Sequence, residues 1–332
     1  MLQKGGFHLL LTAYLSSLNP AALFRSLPGS CAQGLIWGLL ALGVYITYKL
    51  LDFADLSVDG SLATGGAVAV MLIRGGMNPW LALIFAFLAG MAAGFVTGIL
   101  HTALGIPGIL ASILTQISLY SINLNIMGCS NQAVSVDKYN LVVSLRYVSD
   151  STATKIRVFT TCILFCVVVV AILYWYFGTE QGHAIRATGC NKQMARAQGI
   201  NTDFHTVLAL MISNGLVGLA GGLYAQYQGN ADVNMGRGAI VIGLAAVIIG
   251  EVLGEAIFRK HLNFIARLVF VVIGAIIYYL VICFVLWLKL PQENLKLFSA
   301  IVVAIFLAVP YLKGKSKISF KKSAKNGGAA SC

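Results

Sequence analysis

Charge is what this sequence has least of. Only 10% of its 332 residues are Asp, Glu, Lys or Arg, against about 25% in soluble domains. Hydrophobic residues make up 58% of the chain, and the mean hydropathy is +0.85. So little charge cannot solvate the surface of a soluble protein of this length. The apolar runs are of helical length, not the roughly ten-residue alternation of barrel strands. The fold class read from composition is therefore an all-α integral membrane protein. Acids are scarcer than bases, 11 against 23, and none follows Glu293. The surplus sits in loops and in a tail with Lys313, Lys315, Lys317, Lys321, Lys322 and Lys325. That pattern sets topology and attracts anionic lipid; it is not a nucleic-acid surface.

Other absences exclude chemistry. The 7 cysteines are scattered with no C-x-x-C pair, and the 5 histidines form no cluster, so neither a disulfide framework nor a metal site is expected. Cys162 and Cys166 share a helix face and read as small apolar packing residues. No G-x-x-x-x-G-K-[ST] occurs: Gly314-Lys315-Ser316 lacks the upstream glycine, so no phosphate-cradling loop is present. No nucleophile–base–acid set appears, and no segment between the apolar runs is long enough for a catalytic or nucleotide-binding domain. No catalytic residue, metal or cofactor is assigned to this chain. Uphill transport would draw on a partner ATPase or on a coupling ion.

The apolar runs predict a bundle of about 8–9 spans. Residues 1–30 form an N-terminal extension whose run Phe7–Leu18 reads as interfacial or as a short extra span. Residues 31–312 form the transmembrane domain, and residues 313–332 a basic cytoplasmic tail. Spans are expected at Cys31–Tyr48, Trp80–Leu104, Pro107–Met127, Val158–Phe177, Thr206–Tyr227, Ile240–Ile257, Phe264–Leu288 and Leu295–Leu312. Leu62–Ile73 is apolar but too short for a simple span of roughly twenty residues. It predicts a broken or re-entrant segment, which must face protein or a water-filled cavity.

Gly90, Gly94 and Gly98 form a doubled G-x-x-x-G, and Gly218 and Gly222 repeat the spacing; both mark helix faces where a second backbone comes close. The stretch Leu51–Ser61 carries Asp52, Asp55 and Asp59, spaced to share one face of a helix. Two readings stay open: a solvated loop in which Asp59 caps the next helix, or a polar lining at the mouth of a pathway. Gln116 and Asn123 share a face of their span and either bond neighbouring helices or line the path. Gln226 belongs to the same candidate path. Glu251 and Glu255, one turn apart, either pair with Arg259, Lys260 and His261 or form a proton relay. The polar connection Gly128–Lys155 suits the outer face.

One polar island remains, residues 182–202. It holds Arg186, Lys192 and Arg196 and no acid, so it faces the cytoplasm. Asn191 is placed to cap Lys192–Gln198, and Gly199 to end that run in a left-handed conformation. The run Gly182-x-Ala-Ile-Arg-Ala-x-Gly-x-Asn, then Met194-Ala-Arg-x-x-Gly-Ile, resembles the cytoplasmic loop of ABC importer permeases of the branched-chain amino acid and ribose type. Asp52-Phe-Ala-Asp is similar to the Asn-Phe-Ala-(His/Asp) region of that family, with Asp52 where asparagine is common in branched-chain permeases. That departure argues against a branched-chain substrate. Asp55-Leu-Ser-Val-Asp-Gly60 resembles an offshoot paired with lipoprotein binding subunits, some linked to aromatic amino acids. Ser213–Tyr224 resembles the family's Gly-Leu-Ala-Gly helix.

The resemblance implies a type II ABC importer-like bundle in the cytoplasmic membrane, acting as the permease subunit for a small solute. It implies a coupling loop with Ala184, Arg186, Ala187, Gly189, Asn191, Arg196 and Gly199 against an ATP-binding subunit. ATP and Mg would sit on that partner, an extracytoplasmic binding lipoprotein would deliver the solute, and the permease would pair with itself or a sister chain. The alternative is an ion-coupled secondary transporter using Glu251, Glu255 or the Asp52–Asp59 group. A membrane-bound enzyme finds no supporting cluster.

Overall fold

The computed structural model describes residues 20–150, 152–258 and 263–288, with a few single positions beyond. The run Phe7–Leu18, the bases Arg259–His261, the basic tail and most of Leu295–Leu312 lie outside the described residues. The chain divides into two units, Phe24–Leu280 and the two ends, Met1–Leu23 with Val281–Cys332. All the predicted site residues fall in the first.

Helix α1 (Pro20–Tyr45) includes residues well ahead of the expected Cys31, and Pro20 has a φ compatible with a first helical turn. A π turn, Ile46–Leu50, extends it. Residues 51–57 are then irregular, and Asp52 takes a left-handed backbone with φ 53°, a conformation that a short Asp side chain tolerates. Helix α2 (Val58–Arg74) follows, with 17 residues. At about 1.5 Å per residue it falls short of the roughly 30 Å hydrocarbon core. This is the broken segment expected from Leu62–Ile73.

The chain continues through α3 (Pro79–Thr102), α4 (Gly108–Met127), strand β1 (Asn131–Ala133), the short α5 (Leu145–Asp150) and α6 (Thr152–Phe177). Then come α7 (Glu180–Cys190), α8 (Lys192–Ala197), α9 (Thr202–Gln228), β2 (Asn230–Asp232), α10 (Ala239–Phe258) and α11 (Phe264–Trp287). Among the described residues, 7 helices are long and apolar enough to cross a membrane: α1, α3, α4, α6, α9, α10 and α11. The protein is an all-α multi-pass membrane protein, with one two-stranded ladder between β1 and β2. At three residues each, those strands carry no periodicity by which the sequence could announce them.

The positive-inside rule assigns the basic loop between α6 and α9 to the cytoplasmic side. Gly189 in α7 sits directly on the Leu50 carbonyl, so α1 ends on that side. The Tyr139 hydroxyl, in the connection after α4, donates to the Arg74 carbonyl at 3.3 Å, so α2 ends on the outer side. Helix α9 forms the axis and packs most extensively on α3 and α2. In lipid the apolar effect does not drive helices together; close backbone packing of small residues does. Gly90 and Gly94 of α3 lie on the carbonyls of Asn214 and Leu210, and Gly98 lies on Val207. Gly218 meets Gly90 on one side and Gly65 of α2 on the other, and Gly222 packs on Leu83 and Ala86. The far face of α3 leaves Ile84, Leu88 and Phe95 exposed. Cys162 and Cys166 are buried on α6, where the Cys166 thiol donates to the Leu35 carbonyl at 3.4 Å.

Candidate functional site

The chain breaks a second time after β2. Residues 233–238 are non-helical, and α10 starts at Ala239. The amides of Gly238 and Ile240 donate to the Asp59 carboxyl at 3.0 and 2.9 Å. Asp59 lies in the first turn of α2, so it caps α10, a helix 181 residues further along the chain. The N-termini of α2 and α10, each preceded by a break, thus come together with one carboxyl between them. Each N-terminus carries partial positive charge, and at α10 the Asp59 carboxyl answers it. Broken helices that aim their N-termini at one point near the bilayer centre are a recurring way to build a transport site.

A second polar node lies behind this junction. Asp55 is 2% exposed. It accepts from the Ser57 amide at 2.9 Å and from the Ser57 hydroxyl, and its other oxygen accepts from Asn214 Nδ2 at 2.7 Å. Asn214 Oδ1 in turn accepts from the Ser61 hydroxyl at 2.6 Å. Asn214 sits midway along α9, so the node ties the irregular lead-in of α2 to the middle of the central helix. The three aspartates therefore do not share a helical face. Asp52 is exposed in its left-handed turn, Asp55 is buried in irregular backbone, and only Asp59 is helical. The expectation failed because residues 51–57 bond through side chains, an option that Asp and Ser give the backbone in place of a helix.

A cavity of about 370 Å³ opens beside the junction, between α2, α4 and the second break; Asp59, Gln116, Tyr120, Asn123 and Arg237 line it. Asn123 is 1% exposed, and neither polar atom of its amide has a partner. Gln116 and Asn123 thus come together with Asp59. Gln226 does not join them: it is fully buried elsewhere, where its Oε1 accepts from the Val142 amide at 3.0 Å and fastens the outer connection. Glu251 pairs with Lys49 of the π turn at 3.1 Å, while Glu255 is exposed and the bases expected to face them lie outside the described residues.

On the cytoplasmic side, Thr179 caps α7 by accepting from the Gly182 amide, and Asn191 caps α8 by accepting from the Met194 amide at 3.0 Å. Gly199 ends the turn at φ +80°. Ile185 and Thr188 bury one face of α7. Arg186 lays its guanidinium over the Phe264 ring, 4.9 Å from the centroid, a cation–π contact. Arg196 donates to the Thr202 hydroxyl at 2.7 Å and to Asp203 at 2.8 Å. Helix α8 is otherwise presented outward, held by one buried residue, Ala195, with Met194 64% exposed. Ala184 and Ala187 border a groove of about 690 Å³ between α7 and the start of α9.

Sequence reasoning passed over Ser57, Ser61, Asn214 and Arg237. The signal for Arg237 was its place between Gly236 and Gly238, a cation in a break. Asn214 stands in the Ser213–Tyr224 run, where the packing reading rests on Gly218 and Gly222 and assigns Asn214 no role.

A family profile described as branched-chain amino acid transport system, permease component, matches residues 27–310. The tyrosine transport system permease protein of Clostridioides difficile is 39% identical over 291 residues, covering 88% of this chain and 92% of that protein. The D-allose transport system permease protein of Escherichia coli is 29% identical, over 81% of this chain and 78% of that one. The broken-helix bundle and these likenesses agree: the chain belongs to the branched-chain amino acid transport permease family and is the multi-pass membrane permease subunit of an ABC importer.

Proposed function

We propose that the solute is an amino acid with an aromatic side chain, and that α7 and α8 couple its passage to ATP hydrolysis on a separate subunit. The relative named for tyrosine transport supports the solute. Asp52, where branched-chain permeases commonly carry asparagine, agrees with a non-branched substrate. ATP and Mg belong on the ATP-binding partner, an extracytoplasmic lipoprotein delivers the solute, and two permease chains pair around the pathway.

One observation carries the coupling: Gly189 seats α7 on the Leu50 carbonyl with no room for a side chain. Leu50 is the last residue before the irregular lead-in to α2. A push on the outward-facing α8 therefore reaches the Asp55–Asn214 node, and with it the Asp59 junction. ATP binding closes the ATPase pair, shifts both loops and biases the bundle between outward and inward states. A ligand drives such an equilibrium only by contacting the two states differently.

The test is reconstitution of the permease with its ATPase and binding protein in proteoliposomes. Gly189→Val and Arg186→Ala are expected to keep ATP hydrolysis while losing most ATP-driven tyrosine uptake, with solute binding to the binding protein unchanged. Uptake at the wild-type rate in both variants would sink the coupling assignment.

A further inference from the structure

We propose that the cavity beside the two broken helices holds the α-ammonium and α-carboxylate of the passing amino acid, with Arg237 facing the carboxylate and Asp59 with Asn123 facing the ammonium. The inference rests on the reading that the solute is an amino acid, and deepens it by naming where the backbone of that solute is gripped.

Three observations support it. First, a cation and an anion, Arg237 and Asp59, line one cavity, and no ion pair joins them among the described residues. Opposite charges that face one space without meeting suit a ligand that carries both. Second, Asn123 is 1% exposed with neither Oδ1 nor Nδ2 bonded. A buried amide left unpaired is costly, and native proteins seldom keep one without a partner. An amide has an acceptor and two donors, so it can serve either end of a zwitterion. Third, Asp59 is held by backbone amides of α10, yet a carboxyl accepts at about four lone-pair sites, which leaves capacity for an ammonium. The volume, about 370 Å³, falls in the range of roughly 300–1,000 Å³ usual for small-molecule sites. Tyr120, 42% exposed on the same wall, offers a ring to an aromatic side chain. The residues that recognise the backbone are separate from it, so the grip does not depend on which side chain the solute bears.

The experiment uses the assembled complex of permease, ATPase and binding protein, carrying Ser121→Cys as a reporter in the cavity wall. A methanethiosulfonate reagent modifies the thiol, and mass spectrometry reads position 121 alone, which keeps the native cysteines out of the signal. L-Tyrosine at about ten times its half-protecting concentration is expected to slow modification by about tenfold, the simple-occupancy factor of one plus ligand concentration over Kd. Tyramine, which lacks the carboxylate, and 3-(4-hydroxyphenyl)propionate, which lacks the ammonium, are expected not to. Arg237→Gln should abolish protection in a complex that still co-elutes with its ATPase. If that variant does not assemble, Asn123→Leu carries the same expectation. Equal protection by all three compounds, or undiminished protection in the assembled variants, overturns the proposal. If wild-type proteoliposomes take up no aromatic amino acid, the proposed solute falls, and the protection assay is repeated with an equimolar mixture of the twenty amino acids. Protection by the mixture upholds the site, and its absence overturns it.

Discussion

Replacing Asn214 with alanine removes the cross-link between the central helix and the lead-in of α2. The wild-type amide donates to Asp55 at 2.7 Å and accepts from Ser61 at 2.6 Å. All three side chains are buried, at 0–2% exposure. Asp55 keeps its bonds to Ser57, so the carboxyl is only partly deprived. Ser61 loses the side-chain oxygen to which it donates. Leaving a buried polar group unsatisfied costs about 1–3 kcal/mol. With two groups affected, one partly, the expected loss of stability is about 2–4 kcal/mol. The value is read from SDS-induced unfolding of the detergent-solubilised protein. A double-mutant cycle isolates the contact. With Asp55 already replaced by leucine, Asn214→Ala should cost at least about 1 kcal/mol less, because residues in one bonded network couple by roughly 0.5–3 kcal/mol. Additivity within about 0.5 kcal/mol, the behaviour of independent sites, would show that the two side chains do not hold each other. The claim that the node ties α2 to α9 would then be wrong.

Three further outcomes are expected. Gly94→Leu drives a side chain into the Leu210 carbonyl and should abolish recovery of monodisperse protein in detergent, while Leu88→Ala on the exposed face of α3 should leave it unchanged. Lys49→Met breaks the ion pair with Glu251, whose side chains are 42% and 23% exposed, and should cost no more than about 1 kcal/mol in the same unfolding assay; Glu251→Gln should retain most ATP-driven uptake, whereas collapse of uptake would revive a coupling-ion role for that acid. Asn191→Ala removes the α8 cap, worth about 1 kcal/mol of local stability, and should weaken association with the ATPase in a co-purification titration without unfolding the bundle.

The membrane architecture was legible because its causes act on composition and on runs. Low charge, long apolar stretches and glycines four apart each follow from what a bilayer demands, and each appears in the structure close to where it was read. The short Leu62–Ile73 run announced a broken helix by length alone. The cytoplasmic loop was legible through local chemistry, since Asn191 and Gly199 act on backbone a few residues away. The junction was legible only in part. Asp59 was weighed as a cap for the next helix, and it does cap a helix, but one brought to it by the fold. No local rule pairs positions 59 and 240. The same limit hid Asn214, whose partners lie more than 150 residues earlier, and the bond of Glu251 to Lys49 across 202 residues. The common helical face assigned to Asp52, Asp55 and Asp59 failed for a nearer reason: Asp and Ser side chains compete for the backbone, and residues 51–57 took that option.

The central claim is that ATP-driven movement of the cytoplasmic helices α7 and α8 reaches the junction of the two broken helices and changes which side its cavity faces. The most direct measurement is the rate at which a membrane-impermeant thiol reagent, added from outside, modifies Ser121→Cys in proteoliposomes holding the complete complex. The rate is compared without nucleotide, with ATP and vanadate, and again with Gly189→Val in the permease. The account predicts a clear nucleotide-dependent change at position 121 that the Gly189→Val complex loses. A rate that is the same in every nucleotide state, or a change that survives unaltered in Gly189→Val, would contradict it.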